Sequence, residues 1–417
     1  MMQIGFILII RMNSSSGQKG IYIMKVTDIK TFVVDCFRTN WVFVKVYTDA
    51  GITGVGEGTL EYKEKALIGA VEHIRSYLIG KDPTQIEKHY HDIYRDAYWR
   101  GGVVLMSALS AVETALWDIL GKHLGVPVYQ LLGGKVNEDC RIYVNGWFSG
   151  AREPKEFAEK ARSVVDRGIT AMKWDPFGKS YLQISNRDLD KAICCIAAVR
   201  EAVGDKVDLL IEAHGRFDVP TAIKIAQEVA PFKPMFLEEP VPPNNLEALK
   251  AVREKSPVAI SAGERLYTRY DYNELFHLRA ADYIQPDVSH AGGIMELKKI
   301  AAIAEVNYIP FAPHNPSGPV ANAATLQLAA CCPNFCILEI MYSDVVYRSA
   351  VTDENLVYEN GCIIIGDRPG LGIELNEAEC LRHPYVEHNL RHYTGALTDI
   401  RPPENAFYFG ERKKEDF

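Results

Sequence analysis

From Met24 onward, hydrophobic and polar positions alternate through VTDIKTFVVDCF, WVFVKVYTDAG and GITGVGEG. A period of two predicts three strands in a meander, with a turn at Asp49-Ala50-Gly51. The period then lengthens. LIGAVEHIRSYLIG, PTQIEKHYHDIYRDAYWRG and MSALSAVETALWDILGKHLG place their apolar residues at helical spacing. The last is apolar on nearly every side, as a buried helix is. Strands followed by helices define an α+β domain over residues 24–135.

From Arg141 the pattern becomes strand–helix. Apolar runs recur as RIYVNGW, AMKWDPF, DLLIEAHG, MFLEEP, VAISAGER, YIQPDVS, YIPFAPHN and CILEIM, most of them separated by helical stretches such as PKEFAEKARSVVDRG. Eight strands alternating with helices predict an α/β barrel of the TIM type over residues 136–368, with its active site at the strands' carboxyl ends. After Tyr342 the rhythm is lost, and residues 369–417 read as a return to the first domain.

The polar residues that close these apolar runs carry the chemistry. Glu212, Glu238 and Glu264 each end one run, and successive members are 26 residues apart. About 25–30 residues is one strand–helix unit of a parallel barrel, so three adjacent strands aim one carboxylate each at the same mouth. Three unpaired acids there repel, and a bound cation explains them. An all-oxygen set favours Mg²⁺ over zinc. Strand alternation turns His214 to the same face as Glu212. Further along, Asp287 and His314 also close runs, and a carboxylate beside an imidazole is the usual arrangement of a general base. Glu339 ends the eighth run and faces the mouth as well.

Composition narrows the partners. With 417 residues, 47% hydrophobic and 24% charged, the chain has a large core. A net charge of −8 without a basic patch argues against nucleic acid. The nine cysteines are scattered and odd in number, as expected of reduced thiols in a cytoplasmic protein. Zinc held by Cys332, Cys336 and His314 is the weaker metal reading. The apolar run Ile4 to Ile10 is too short for a bilayer and lacks the basic segment of a signal peptide. Residues 1–23 therefore read as a disordered lead or extension, with no membrane partner. No later segment reads as long and apolar enough to span a bilayer.

Taken together, these residues resemble the enolase superfamily, mandelate racemase subgroup, over nearly the whole chain from Met24. The 26-residue steps and the 27-residue step from Asp287 to His314 fit the family pattern. The resemblance implies a modified (β/α)₇β barrel under an α+β capping domain completed by the C-terminal tail, and a homo-oligomer. It also implies that Glu212, Glu238 and Glu264 bind Mg²⁺, with Glu212 standing where Asp is commonest. Asp287–His314 becomes the base that removes the proton α to a carboxylate, giving an enediolate. Glu339 would then hydrogen-bond the substrate carboxylate, for which it would be protonated.

Racemising members carry Lys-x-Lys at the second strand, whereas this chain has Lys173-Trp174-Asp175. With His214 two residues after the first ligand, the site is similar to sugar-acid dehydratases acting on gluconate or galactonate. In those, the histidine on the third strand is the acid for the departing 3-hydroxyl. Lys173 either binds the substrate carboxylate or pairs with Asp175 or Glu212. The alternative activity is an epimerase, racemase or sugar-lactone cycloisomerase using the same proton abstraction. Candidate substrate contacts are Asn145, Trp147, Arg265 and Trp41, with loops Phe37 to Trp41 and Tyr98-Trp99-Arg100 over the mouth. His290 is expected to support its loop, and Glu239 to support a ligand.

Overall fold

The computed structural model describes residues 23–96, 98–389 and 401–411. Residues 1–22 of the expected lead lie outside the described residues. The alternating stretch forms β1 (Val26–Asp35), β2 (Asn40–Thr48) and β3 (Thr53–Glu57), an antiparallel sheet in that order. Helices α1 (Glu64–Leu78), α2 (Ile86–Tyr94) and α3 (Val103–Leu124) follow. Helix α3 crosses β3 at backbone contact. A Cβ on Gly54 or Gly56 would stand 2.0 or 1.9 Å from the carbonyl oxygens of Ala115 and Ala111, so only glycine fits there.

Helix α3 also corrects an expectation. With 22 residues it is, by length and composition, long and apolar enough to cross a bilayer. The sequence predicts only a buried helix, and most of this apolar stretch is inside the protein. Its apolar character comes from packing against protein on all sides.

In the second domain β4 (Asp139–Asn145), β5 (Ala171–Trp174), β6 (Asp208–Glu212), β7 (Phe236–Glu238), β8 (Ile260–Ala262) and β9 (Tyr283–Ile284) run parallel in chain order. Strand β10 (Leu338–Met341) pairs with β4 on its other side. Seven helices alternate with them: α4 (Pro154–Val165), α5 (Asn186–Val203), α6 (Val219–Val229), α7 (Leu246–Arg253), α8 (Arg269–Leu278), α9 (Ile294–Val306) and α10 (Pro319–Cys331). The expected seventh strand is reduced to Phe311, which bridges Ile284 on one side and Phe335 on the other. Pro310 and Pro313 flank it, and neither has an N–H for a ladder. The barrel still closes through that one residue.

The cap is docked onto the barrel by carboxylates at helix N-termini. Glu57 at the end of β3 accepts from the N–H groups of Gly318 and Ala321 (2.6 and 2.9 Å), at the start of α10. Glu113 of α3 accepts from Ile294 and Met295 (2.8 and 3.0 Å), the first residues of α9, and from Trp117 Nε1. These are unpaired helix donors, and a carboxylate suits both their hydrogen bonds and the helix dipole. Glu113→Ala orphans three donors, those of Ile294 and Trp117 buried and that of Met295 partly so. We expect it to cost about 1–3 kcal/mol for each donor that water cannot reach, read as a lower urea midpoint with an unchanged m-value.

The tail divides. Asp35 N–H donates to His383 O, Asn40 exchanges hydrogen bonds with Val386, and Lys45 pairs with Glu377 at 2.7 Å, so residues 377–386 lie on the cap. The last described stretch departs from the expected return. Asn405–Ala406 pairs with Asp344–Val345, and Gly410–Glu411 pairs with Val357–Tyr358 in the sheet that continues to β4. Sheet pairing beside the barrel takes this stretch away from the cap.

Candidate active site

A cleft of about 380 Å³ opens between cap and barrel. Its barrel side includes Asn145, Lys173, Glu212, His214, Glu264, Arg265, His290, His314 and Glu339. The ends of β6 and β7 and the residue just past Gly263 beyond β8 deliver Glu212, Glu238 and Glu264. One carboxylate oxygen from each lies within 4.8 Å of the others, comparable with the span of about 4.2 Å across an octahedral Mg²⁺ shell. This is the one such group of three metal-capable side chains found among the described residues; Cys332, Cys336 and His314 form none.

Lys173 is the cation among these acids. Its Nζ lies 2.8 and 3.0 Å from the two oxygens of Glu238, 3.1 Å from Glu339 and 3.3 Å from Glu212. Of the partners left open by the sequence it takes Glu212, and adds two more acids. Asp175 is not among them. Burial opposes the lysine charge, but Glu238 and Glu339 outweigh it and hold the pKa well above normal. One lysine does not neutralise four carboxylates. Burial, then repulsion from Glu238, pushes the Glu212 carboxyl well above its usual range. Its Oε2 is buried and receives no hydrogen bond; Lys173 approaches without the geometry of one. A carboxylate with an unbonded buried oxygen, clustered with two further carboxylates, fits a hard divalent cation.

Two imidazoles in the cleft are each backed by a buried carboxylate. His314 Nδ1 lies 2.8 Å from Asp287 Oδ2, while its Nε2 is 3.1 Å from Glu264. Burial disfavours the charged ring, but Glu264 outweighs it and, with Asp287 and Glu339, holds the His314 pKa up to about 10. A cation shared by Glu264 would weaken the largest of these influences. Asp287 is fully buried and accepts from Ser289 N–H at 2.7 Å. His214 Nδ1 lies 2.7 Å from Asp175 Oδ2. His214 is not on the strand: β6 ends at Glu212, and His214 sits at φ 50° in a left-handed turn. Its N–H donates to Glu212 Oε1 (2.6 Å), and the turn, not strand alternation, brings it into the cleft.

The remaining candidates separate clearly. Asn145 lines the cleft and donates to Glu339 Oε1 at 2.9 Å. Arg265 lines it too, but its guanidinium is held by Glu239. Trp147 is corrected: it is 3% exposed, donates Nε1–H to Lys173 O and packs edge-on against Trp174, so it is core behind the site. Trp41 is corrected likewise, being 2% exposed against Phe43 and the Arg348 guanidinium. From that loop Arg38 reaches the cleft instead, pairing with Glu61. Tyr98 and Trp99 are exposed and do not line it; Val103 does. The cap's main contribution is Thr59 to Lys63, a turn after β3 that no residue pattern marks. Burial favours protonation of Glu339, but Lys173, His314 and Asn145 outweigh it and, without substrate, hold the carboxyl below its usual range. Asp175 and Arg216 were missed as partners of His214. His290 bridges to the cap through Ser107 Oγ at 2.8 Å.

An α+β cap, a seven-helix barrel and three acids on adjacent strands define a known class of enzymes. Residues 24–133 match the mandelate racemase / muconate lactonizing enzyme N-terminal domain, and residues 156–379 match the enolase C-terminal domain-like family. The chain belongs to the mandelate racemase / muconate lactonizing enzyme family of the enolase superfamily. It is 37% identical over 360 residues to a D-galactonate dehydratase of Variovorax paradoxus (strain S110), covering 85% of this chain and 93% of that protein. The D-galactonate dehydratase of Xanthomonas oryzae pv. oryzae (strain PXO99A) is equally similar, with the same coverage. Among solved structures, an enolase superfamily member from Salmonella Typhimurium superposes with a TM-score of 0.83 at 32% identity, covering 87% of this chain and 99% of that one. A mandelate racemase/muconate lactonizing enzyme from a Sulfitobacter species gives 0.82 at 34% identity, covering 88% and 97%.

Proposed function

We propose that the protein is a hydro-lyase that removes water from a sugar acid of the galactonate or gluconate type, leaving a 2-keto-3-deoxy acid. The observation that carries this reading is the pair of carboxylate-backed imidazoles, His314–Asp287 and His214–Asp175, in one cleft beside the acid cluster. Elimination needs a base for one proton and an acid for the leaving hydroxyl, and two separately supported histidines supply both. The names of the relatives support the same choice.

In this reading His314 Nε2 takes the C2 proton, while Asp287 holds Nδ1 and stabilises the imidazolium. The two electrons of the C–H bond move toward the substrate carboxylate, giving an enediolate. Mg²⁺, held by Glu212, Glu238 and Glu264, would supply the positive charge against which that second negative charge develops. Lys173 adds a buried cation on the same side of the cleft. His214 Nε2 then protonates the C3 hydroxyl; the C3–O bond breaks, and water leaves. The resulting enol takes a proton at C3 and becomes the keto acid. Arg38 and the Thr59 to Lys63 turn face the rest of the substrate chain.

A screen of the purified protein with Mg²⁺ against aldonic and aldaric acids, D-galactonate first, tests this. The expected result is a 2-keto-3-deoxy product, read by carbonyl derivatisation, from at least one acid. A blank screen with C2 exchange still visible in deuterated water would replace dehydration by epimerisation or cycloisomerisation.

A further inference from the structure

The proposed acid, His214, has a support unlike that of the base. Asp287 faces His314 with no guanidinium hydrogen-bonded to it among the described residues, whereas Asp175 is clamped by Arg216. That arginine is fully buried. Its Nη2 donates to both oxygens of Asp175 (2.8 and 2.7 Å), its Nε to Ala213 O (3.0 Å) and its Nη1 to Gly178 O (2.6 Å). One side chain therefore ties the turn that carries His214 to the segment that carries Asp175. Phe177 N–H adds a further bond to Asp175 Oδ1 at 2.9 Å. The carboxylate cannot rotate, and its Oδ2 is presented to His214 Nδ1.

We propose that Asp175, locked by Arg216, is the positioning residue that makes His214 the acid of water loss: it accepts Nδ1–H of the doubly protonated ring and so turns the second proton, on Nε2, to the leaving hydroxyl. The inference rests on the dehydratase reading and goes beyond it by assigning the residues that divide the reaction into its two halves.

Asp175→Asn tests it with a built-in polarity. Arg216 donates to both oxygens of Asp175, but Phe177 N–H donates only to Oδ1, so the amide oxygen stays at that position. The new NH₂ then faces His214 Nδ1, which has to accept from it, so the ring holds one proton on Nε2 and loses support for the doubly protonated form that acts as the acid. The same Asp→Asn change beside the catalytic histidine of a Ser-His-Asp triad lowers turnover by about 10⁴-fold. We expect water loss to fall by about 10²–10⁴-fold, with C2 exchange within about three-fold of wild type.

A 3-deoxy-3-fluoro sugar acid supplies the control. Fluoride leaves as an anion without a proton, so Asp175→Asn should eliminate it at a rate within about ten-fold of wild type. Unimpaired water loss in Asp175→Asn would overturn the proposal. So would an equal fall in water loss, fluoride loss and exchange, which is the signature of a damaged fold. Wild-type protein that exchanges C2 protons but eliminates nothing would instead overturn the dehydratase reading, and the proposal with it.

Discussion

His314→Asn is expected to abolish C2 proton exchange and turnover together, while His214→Asn keeps exchange and loses dehydration. The asymmetry follows from what each ring touches. His314 lies between Asp287 (2.8 Å) and Glu264 (3.1 Å), beside the acids that surround the developing charge. Without its Nε2 no group takes the C2 proton, and general base catalysis of about 10²–10⁴-fold is lost at the first step. Asparagine cannot recover it. His214 belongs to a separate pair with Asp175, and its loss leaves the first step intact. Exchange followed by NMR in deuterated water separates the two steps. Undiminished exchange in His314→Asn would remove that residue from the base role.

Chelation should have an effect of similar size. Glu212, Glu238 and Glu339 contact Lys173, Glu264 clusters with Glu212 and Glu238, and Glu212 Oε2 lacks a hydrogen-bond donor. Removing the cation should end both exchange and turnover, because the enediolate loses the charge that stabilises it. A second readout is independent of catalysis. A cation at one hundred times its Kd stabilises the fold by about 2.7 kcal/mol, so EDTA should lower Tm and Mg²⁺ restore it. Glu238→Gln, in the middle of the three strands, should remove the Mg²⁺-dependent shift. A Tm and an exchange rate indifferent to EDTA would contradict the metal assignment.

The parts of the site legible in the sequence are those fixed by the period of the fold. Each strand–helix unit returns the chain to the mouth after a similar number of residues, so Glu212, Glu238 and Glu264 could be found by counting. Asp287 and His314 close strands in the same way, although the seventh strand shrinks to Phe311 between two prolines. What escaped depends on turns and packing. His214 reaches the cleft through a left-handed residue, a conformation that an alternation rule does not contain. Trp147 lies in the turn after β4 and Trp41 near the start of β2, and the bulk of both is used as core. Arg216 looked like a loop residue and is instead the buried clamp of Asp175. Helix α3 is long and apolar enough for a bilayer because the helix of a crowded core and that of a bilayer share composition.

Dehydration by α-proton removal is tested most directly by incubating the Mg²⁺-loaded protein with D-galactonate in deuterated water and following mass and ¹H NMR together. The expected product has lost one water, carries a keto group at C2 and holds one solvent deuteron at C3. Recovery of an acid of the original formula, deuterated at C2 or inverted there, would contradict water loss. A product lacking the C3 deuteron would contradict the enol route.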